Sequence, residues 1–234
     1  MTIGAEMKRV LVMGRDVDHI LPMVRERGFQ VVRKDPEIVI TWGGDGLLLR
    51  SEHAWPGVPK LPLRNSRHGI KCAPHEIPEA LDGLLDGRFA PTSHLKVEAV
   101  VGDVTRTGLN DVIVHNAAPT SAVRYRIWID GVELGHELVG DGVVVATPFG
   151  STAYYRTITR GSFREGLGLA FNNSTEHVDH VVLPESAEIR IRVTRGPAAL
   201  YADNQTDGHD LDVDDEVTVR RSPDRAVVLT ELPG

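Results

Sequence analysis

Cysteine is nearly missing from this chain. A single Cys72 in 234 residues excludes an internal disulfide framework and fits a reducing compartment. No apolar run approaches the roughly 20 residues a membrane-spanning helix needs, and residues 1–6 lack the apolar core of a signal peptide. Positive charge is in deficit: 26 Lys and Arg face 33 Asp and Glu, a net charge of −7 with both signs interspersed, so a nucleic-acid partner has no electrostatic support. Gly-x-Gly-x-x-Gly and the Walker lysine loop are both absent, which removes Rossmann dehydrogenases and P-loop kinases. The ten histidines show neither His-Glu-x-x-His spacing nor a cysteine cluster beside them, so no protein-held metal site is expected. The acidic run over residues 210–216 lacks the loop glycine and final spacing of an EF-hand and reads as a solvated strand entry. These absences leave a soluble, cytoplasmic protein with neither a membrane nor a nucleic-acid partner.

Gly43-Gly44-Asp45-Gly46 is the most informative stretch present. A β-branched, apolar segment over residues 37–42 precedes it, and the helix formers Leu47-Leu48-Leu49-Arg50 follow. Strand, glycine-rich turn and helix in that order let backbone N–H groups approach an anion. The carboxylate of Asp45 does not suit simple anion binding; it suits a base for a hydroxyl or a partner for a metal. The competing reading is a hairpin at Asp-Gly, but Leu-Leu-Leu-Arg makes a poor return strand.

The pattern divides the chain near residue 90. Earlier residues alternate strand (9–14), helix (19–27), strand (29–33), strand (37–42), helix, a short proline-bearing edge strand (60–64) and a helix over 77–85 with proline in its first turn. From His94 the period becomes two, with strands expected at 95–100, 111–114, 125–129, 142–146, 181–183, 188–193, 216–219 and 226–229, and a hairpin turn at Asp130-Gly131. The expected fold is therefore an α/β domain with a parallel sheet over residues 1–91, then a β-rich, sandwich-like domain over 92–234 whose last strand returns to the first, with the site in the cleft between.

Two further constellations carry polar chemistry. Asp141-Gly142 opens a buried strand that ends at Thr147-Pro148, before Gly150-Ser151-Thr152-Ala153-Tyr154 enters a helix. Asn110-Asp111 precedes another buried strand. Taken singly, each also reads as a cap or a turn. His180 draws notice because it enters the strand at 181–183.

In this order, with the late Asp203-Asn204-Gln205, these motifs resemble the ATP-NAD kinase family over about residues 9 to 230. Gly-Gly-Asp-Gly is shared with diacylglycerol-type lipid kinases and phosphofructokinases; Gly-Ser-Thr-Ala-Tyr is narrower. The resemblance implies phosphoryl transfer from ATP or another donor, with Mg²⁺, to the 2′-hydroxyl of the adenosine ribose of NAD. It makes Asp45 the base and sets Gly43, Gly44 and Gly46 near the phosphates. NAD binding falls to Asn110, Asp111, Asp141, Thr152, Ala153, Tyr154 and Thr157, with Asp141 at the nicotinamide end. It also implies a homodimer or homotetramer. The chain departs from the family at several points. Leu47 replaces a usual Thr or Ser, residues 64–70 replace a Gly-x-x-Gly-Phe-Leu segment, Asp111 stands for Glu, and Thr159-Arg160-Gly161 stands for paired glycines, which would bring Arg160 to the phosphates. The alternatives are a kinase of the same loop type acting on a lipid or a sugar, and a nucleotide-binding sensor without turnover.

Overall fold

Short β-branched runs separated by helix formers build the first of two compact units, residues 1–94 with 225–234. The computed structural model describes residues 9–65, 70–72, 76–175 and 179–232; the expectations drawn from residues 1–6 and from 66–69 lie outside them. The elements are β1 (Arg9–Gly14), α1 (Ile20–Glu26), β2 (Gln30–Val31), β3 (Ile38–Gly43), α2 (Asp45–Ala54), β4 (Lys60–Arg64) and α3 (Ile77–Leu85). The four strands run parallel in the order β4-β3-β1-β2. Ile38 and Ile40 on β3, Leu61 and Leu63 on β4, and Val10 on β1 pack with Ile20 and Val24 of α1 and Leu81 and Leu84 of α3. Burying both faces of such strands explains their nearly unbroken apolar character. The expected edge position of β4 needs correction: Val228 of the last strand pairs with Lys60, while β3 pairs along the whole of β4. That extra pairing is confined to Lys60, two residues before Pro62, which has no N–H to extend a ladder.

A buried ion pair closes the connection between α2 and β4. Lys60 and Glu52 are 0% and 2% exposed and pair directly. The Lys60 ammonium also donates to the Trp55 carbonyl at 2.6 Å, and Glu52 accepts from the Gly57 amide at 3.2 Å. Each charge is thus hydrogen-bonded on more than one side, the condition for keeping an ion pair away from water.

The second unit, residues 95–224, follows the change of period from helical to two. Its elements are β5 (Phe89–Val101, whose first residues belong to the first unit), β6 (Val104–Gly108), β7 (Asp111–Asn116), β8 (Val123–Ile129), β9 (Val132–Glu133), β10 (Leu138–Gly140), β11 (Gly142–Ala146), α4 (Tyr154–Thr159), β12 (Leu167–Asn172), β13 (His180–Leu183), β14 (Ile189–Arg195), β15 (Ala198–Ala202), β16 (His209–Leu211) and β17 (Glu216–Glu231). Antiparallel β10-β8-β14-β17 form one layer, with β5 and β6 attached, and β13-β12-β11-β7-β15-β16 form the other. Alternate residues meet between the layers: Tyr125, Ile127, Ile189 and Ile191 from one, Val112, Val114, Val143, Val145 and Leu169 from the other. Asp130 and Gly131 both take positive φ, 49° and 81°, as a two-residue hairpin turn requires. The strands expected at 216–219 and 226–229 are one, β17, of 16 residues. On the far side of β11 and β12, Tyr155 of α4 covers Val144, Ala146 and Ala170. This cover explains why β11 is apolar at every position but its glycine instead of alternating.

Replacing Lys60 by Met should destabilise the protein by about 3–5 kcal/mol, because Glu52 then stays buried without its cation. The double replacement Lys60→Met with Glu52→Leu should recover most of that loss. Urea denaturation of the three proteins checks both statements.

Candidate active site

In the first unit the site is the turn between β3 and α2. Gly43 ends the strand, Gly44 caps the helix in extended conformation, and Asp45 and Gly46 open the first helical turn. A side chain at Gly43 would meet the Leu47 side chain at 2.8 Å, so Leu47 is accommodated by folding back over that glycine. The Asp45 carboxylate is gripped by a later segment: the amide of Ile70 donates to one oxygen at 3.1 Å and the amide of Lys71 to the other at 3.0 Å. The next residue, Cys72, is buried with its thiol against the same carboxylate. Burial first, then the charge of Asp45 and its hydrogen bond, push that thiol up to about 12.

In the second unit the site is built on the α4-side face of the β13-to-β16 sheet. Asp111, Ile113 and His115 share one face of β7 by the two-residue period. Register then sets His115, Gly142 and Asn172 side by side across β7, β11 and β12. Asn172 donates from its amide to the Tyr154 hydroxyl at 2.9 Å and to His115 Nε2 at 3.2 Å, and the Tyr154 hydroxyl lies 3.4 Å from the same nitrogen. His115 Nδ1, 3.0 Å from the Asn116 carbonyl, is therefore the protonated nitrogen and Nε2 the acceptor. Asp141 accepts from Asn116 at 3.3 Å and Asn173 at 3.1 Å. Burial, then the charges of Asp141 and Asp111, hold the Tyr154 phenol above its ordinary value, while the Asn172 hydrogen bond acts the other way. Asp111 and Asp141, remote from Tyr154 in sequence, thus both lie near enough for their charges to bear on its phenol.

Asp203 fixes the Asn110-Asp111 motif from behind. Its carboxylate accepts three consecutive amides, Leu109 at 2.9 Å, Asn110 at 2.7 Å and Asp111 at 3.3 Å, and its own amide donates to the Asp111 carbonyl at 3.0 Å. Asn110 is buried, and its carbonyl accepts from the Thr147 amide at 2.8 Å. A side chain on Gly150 would collide with that same carbonyl, so the glycine lets the Gly-Ser-Thr segment lie directly on the Asn110 backbone. Thr152 and Ala153 follow in the turn leading to α4, half-buried beside Tyr154.

Two expected residues stand apart from this cluster. Thr157 is exposed and turns its hydroxyl back onto the Tyr154 carbonyl at 2.7 Å. Arg160 is exposed at the opposite end of α4 from Tyr154, where a left-handed φ of 59° ends the helix. His180 sits on Asp179 at 2.6 Å and edge-on to Tyr155 at 5.7 Å. The sequence reading missed His115, Asn116, Asn172, Asn173 and Lys71. The first four became visible only through strand register. Among the described residues no group of three or more His, Cys, Asp or Glu could hold a metal ion.

Replacing Asp203 by Ala strands three amides and should lower stability by at least about 2 kcal/mol. Hydrogen exchange should show lost protection at Leu109, Asn110 and Asp111 ahead of the β11 and β12 amides. Cys72 should resist DTNB at pH 8 in the folded protein, since roughly one thiol in ten thousand is ionised there, and should react once urea unfolds the chain.

Known proteins match both the sequence and this architecture. Residues 109–230 match the model of the ATP-NAD kinase C-terminal domain. The NAD kinase of Thermomicrobium roseum is 32% identical over 230 residues, 92% of this chain and 78% of that protein. The NAD kinase of Aquifex aeolicus is 30% identical over 216 residues, 85% of this chain and 77% of that one. The crystal structure of yeast NADH kinase complexed with NADH shares the fold at a TM-score of 0.82 and 17% identity, covering 97% of this chain and 84% of its own. That of an NAD kinase from Archaeoglobus fulgidus in complex with ATP does so at 0.79 and 21%, covering 95% and 94%. With its glycine-aspartate turn, its Asn-Asp strand entry and its Gly-Ser-Thr-Ala-Tyr helix entry in place, the chain belongs to the ATP-NAD kinase family.

Proposed function

We infer that this protein is an NAD kinase, transferring the γ-phosphoryl group of ATP to the 2′-hydroxyl of the adenosine ribose of NAD to make NADP. The observation that carries the reading is the presentation of Asp45 at the first turn of α2, straight after a glycine pair. Relatives named NAD kinase, matched over most of this chain, favour this reading over a lipid or sugar kinase and over a sensor without turnover. The substrate is MgATP, the metal arriving on the phosphates, and the protein works in the cytoplasm as a homodimer or homotetramer. No helix among the described residues is long and apolar enough to cross a membrane.

Asp45 takes the proton of the 2′-hydroxyl as the phosphoryl group moves. A carboxylate offers about four acceptor positions. Among the described residues, the two amides and the Cys72 thiol occupy three of them, which leaves one direction for the hydroxyl. Phosphoryl transfer asks little else of a protein than positioning and charge compensation. Gly43, Gly44 and Gly46 admit the phosphates to the backbone. Asn110 and Asp111, locked by Asp203, hold the adenosine half of NAD. Asp141 takes the cationic nicotinamide end, with Thr152, Ala153 and Tyr154 beside it; Thr157 and Arg160, exposed farther along α4, take no part in this reading. A carboxylate near a phosphate is repelled by about 4 kcal/mol per charge at 4 Å and an effective dielectric of 20, so the site needs cations as well as a base.

Purified protein given NAD and MgATP should form NADP, read by an NADP-specific dehydrogenase. Replacing Asp45 by Asn should cut kcat by about 10² to 10⁴ while NAD affinity stays within about threefold. No NADP from the wild type with ATP, other nucleoside triphosphates or polyphosphate would overturn the reading.

A further inference from the structure

Two cationic residues in the first unit are brought to the glycine-aspartate turn, and the resemblance assigns a role to neither. Register in the parallel sheet sets Arg64, the last residue of β4, against Gly43, the last residue of β3. Asn65, the next residue, lies against the glycine turn, with its amide donating to the Gly43 carbonyl at 3.2 Å and its side chain to the Trp42 carbonyl at 3.5 Å. Lys71 comes next to the same place by another route, since its own amide is one of the two that hold the Asp45 carboxylate. Arg64 and Lys71 are both half-buried, and the charge of each bears on the Cys72 thiol that rests against Asp45. Lys71 also bears on His94, whose imidazole burial and that charge hold below its ordinary value.

We propose that Arg64 and Lys71 bind the triphosphate chain of the phosphoryl donor and offset the charge of Asp45 beside it; this rests on the kinase reading above. The two cations divide the work by their chemistry. Arg64 is a planar fork at the end of a strand and grips two oxygens of one phosphate. Lys71 is a point charge on a flexible stem and follows the phosphoryl group as it moves. Because the Lys71 backbone grips the base while its side chain carries the counter-charge, one residue sets the distance between carboxylate and phosphate. Leu47, folded over Gly43, offers no hydroxyl there, and the cations take up that loss.

Titration calorimetry with inorganic tripolyphosphate tests binding without turnover. Lys71→Ala and Arg64→Ala should each weaken it about tenfold or more, the loss of one charge-assisted contact. The same variants should raise KM for MgATP by a similar factor, with KM for NAD within about twofold of wild type. Lys71→Arg should keep most of the affinity; a loss equal to that of Lys71→Ala would remove charge as the cause. Circular dichroism confirms folding, and Arg64→Lys and Lys71→Gln substitute for any alanine variant that fails to fold. Tripolyphosphate affinity and MgATP kinetics within about twofold of wild type in the folded Lys71 and Arg64 variants would overturn the proposal. If the wild type makes no NADP yet tripolyphosphate binding depends on both residues, the phosphate site stands and the kinase reading falls.

Discussion

A single carboxylate organises much of the second unit's site. Asp203 lies more than 90 residues beyond the amides it accepts, and it sits at a turn with its own φ at 49°. By holding Leu109, Asn110 and Asp111 together it fixes where β7 begins. The Asn110 carbonyl then seats Thr147, and the lack of a side chain at Gly150 lets the next turn lie against it. That turn aims α4, whose first residue is Tyr154. Ionised acceptors give stronger hydrogen bonds than neutral ones, and a buried amide left unpaired is costly, so this cup cannot be loosened without disturbing the whole series.

Local chemistry was legible in the sequence wherever neighbours in the chain settle it. Gly43 to Gly46 reads as strand, turn and helix because glycine freedom, β-branching and helix propensity all act within a few residues. The Asp130-Gly131 hairpin was legible for the same reason. Features settled by remote partners were not. Ser222-Pro223-Asp224 carries turn residues, yet Ser222 is buried and the segment continues β17 unbroken. His115 and Asn172 meet only because register sets both opposite Gly142. Asp203 was visible as part of a motif, but its role as an acceptor for amides far back in the chain has no periodicity to reveal it. Lys71 follows a stretch with neither helical nor strand patterning, and its importance comes from a hydrogen bond to Asp45 made by the backbone, which any residue but proline could make.

The two units solve opposite electrostatic problems. Around Asp141 the hydrogen-bond donors are the neutral side-chain amides of Asn116 and Asn173, which occupy the carboxylate's oxygens without cancelling its charge. Around Asp45 the partners are the backbone amides of Ile70 and Lys71, and the charges of Arg64 and Lys71 bear on the Cys72 thiol that rests against it. The same residue type thus meets two different settings, and the difference lies in the groups around each carboxylate.

The nearly saturated carboxylate of Asp45 has a consequence for what the site leaves undone. Any protein that activates a phosphoryl group toward attack risks losing it to water, which surrounds it and needs only a base. An Asp with a single open position accepts a proton along one line. On the kinase reading proposed above, the grip of Ile70, Lys71 and Cys72 on Asp45 would act as a filter on the nucleophile and spare the donor from idle hydrolysis.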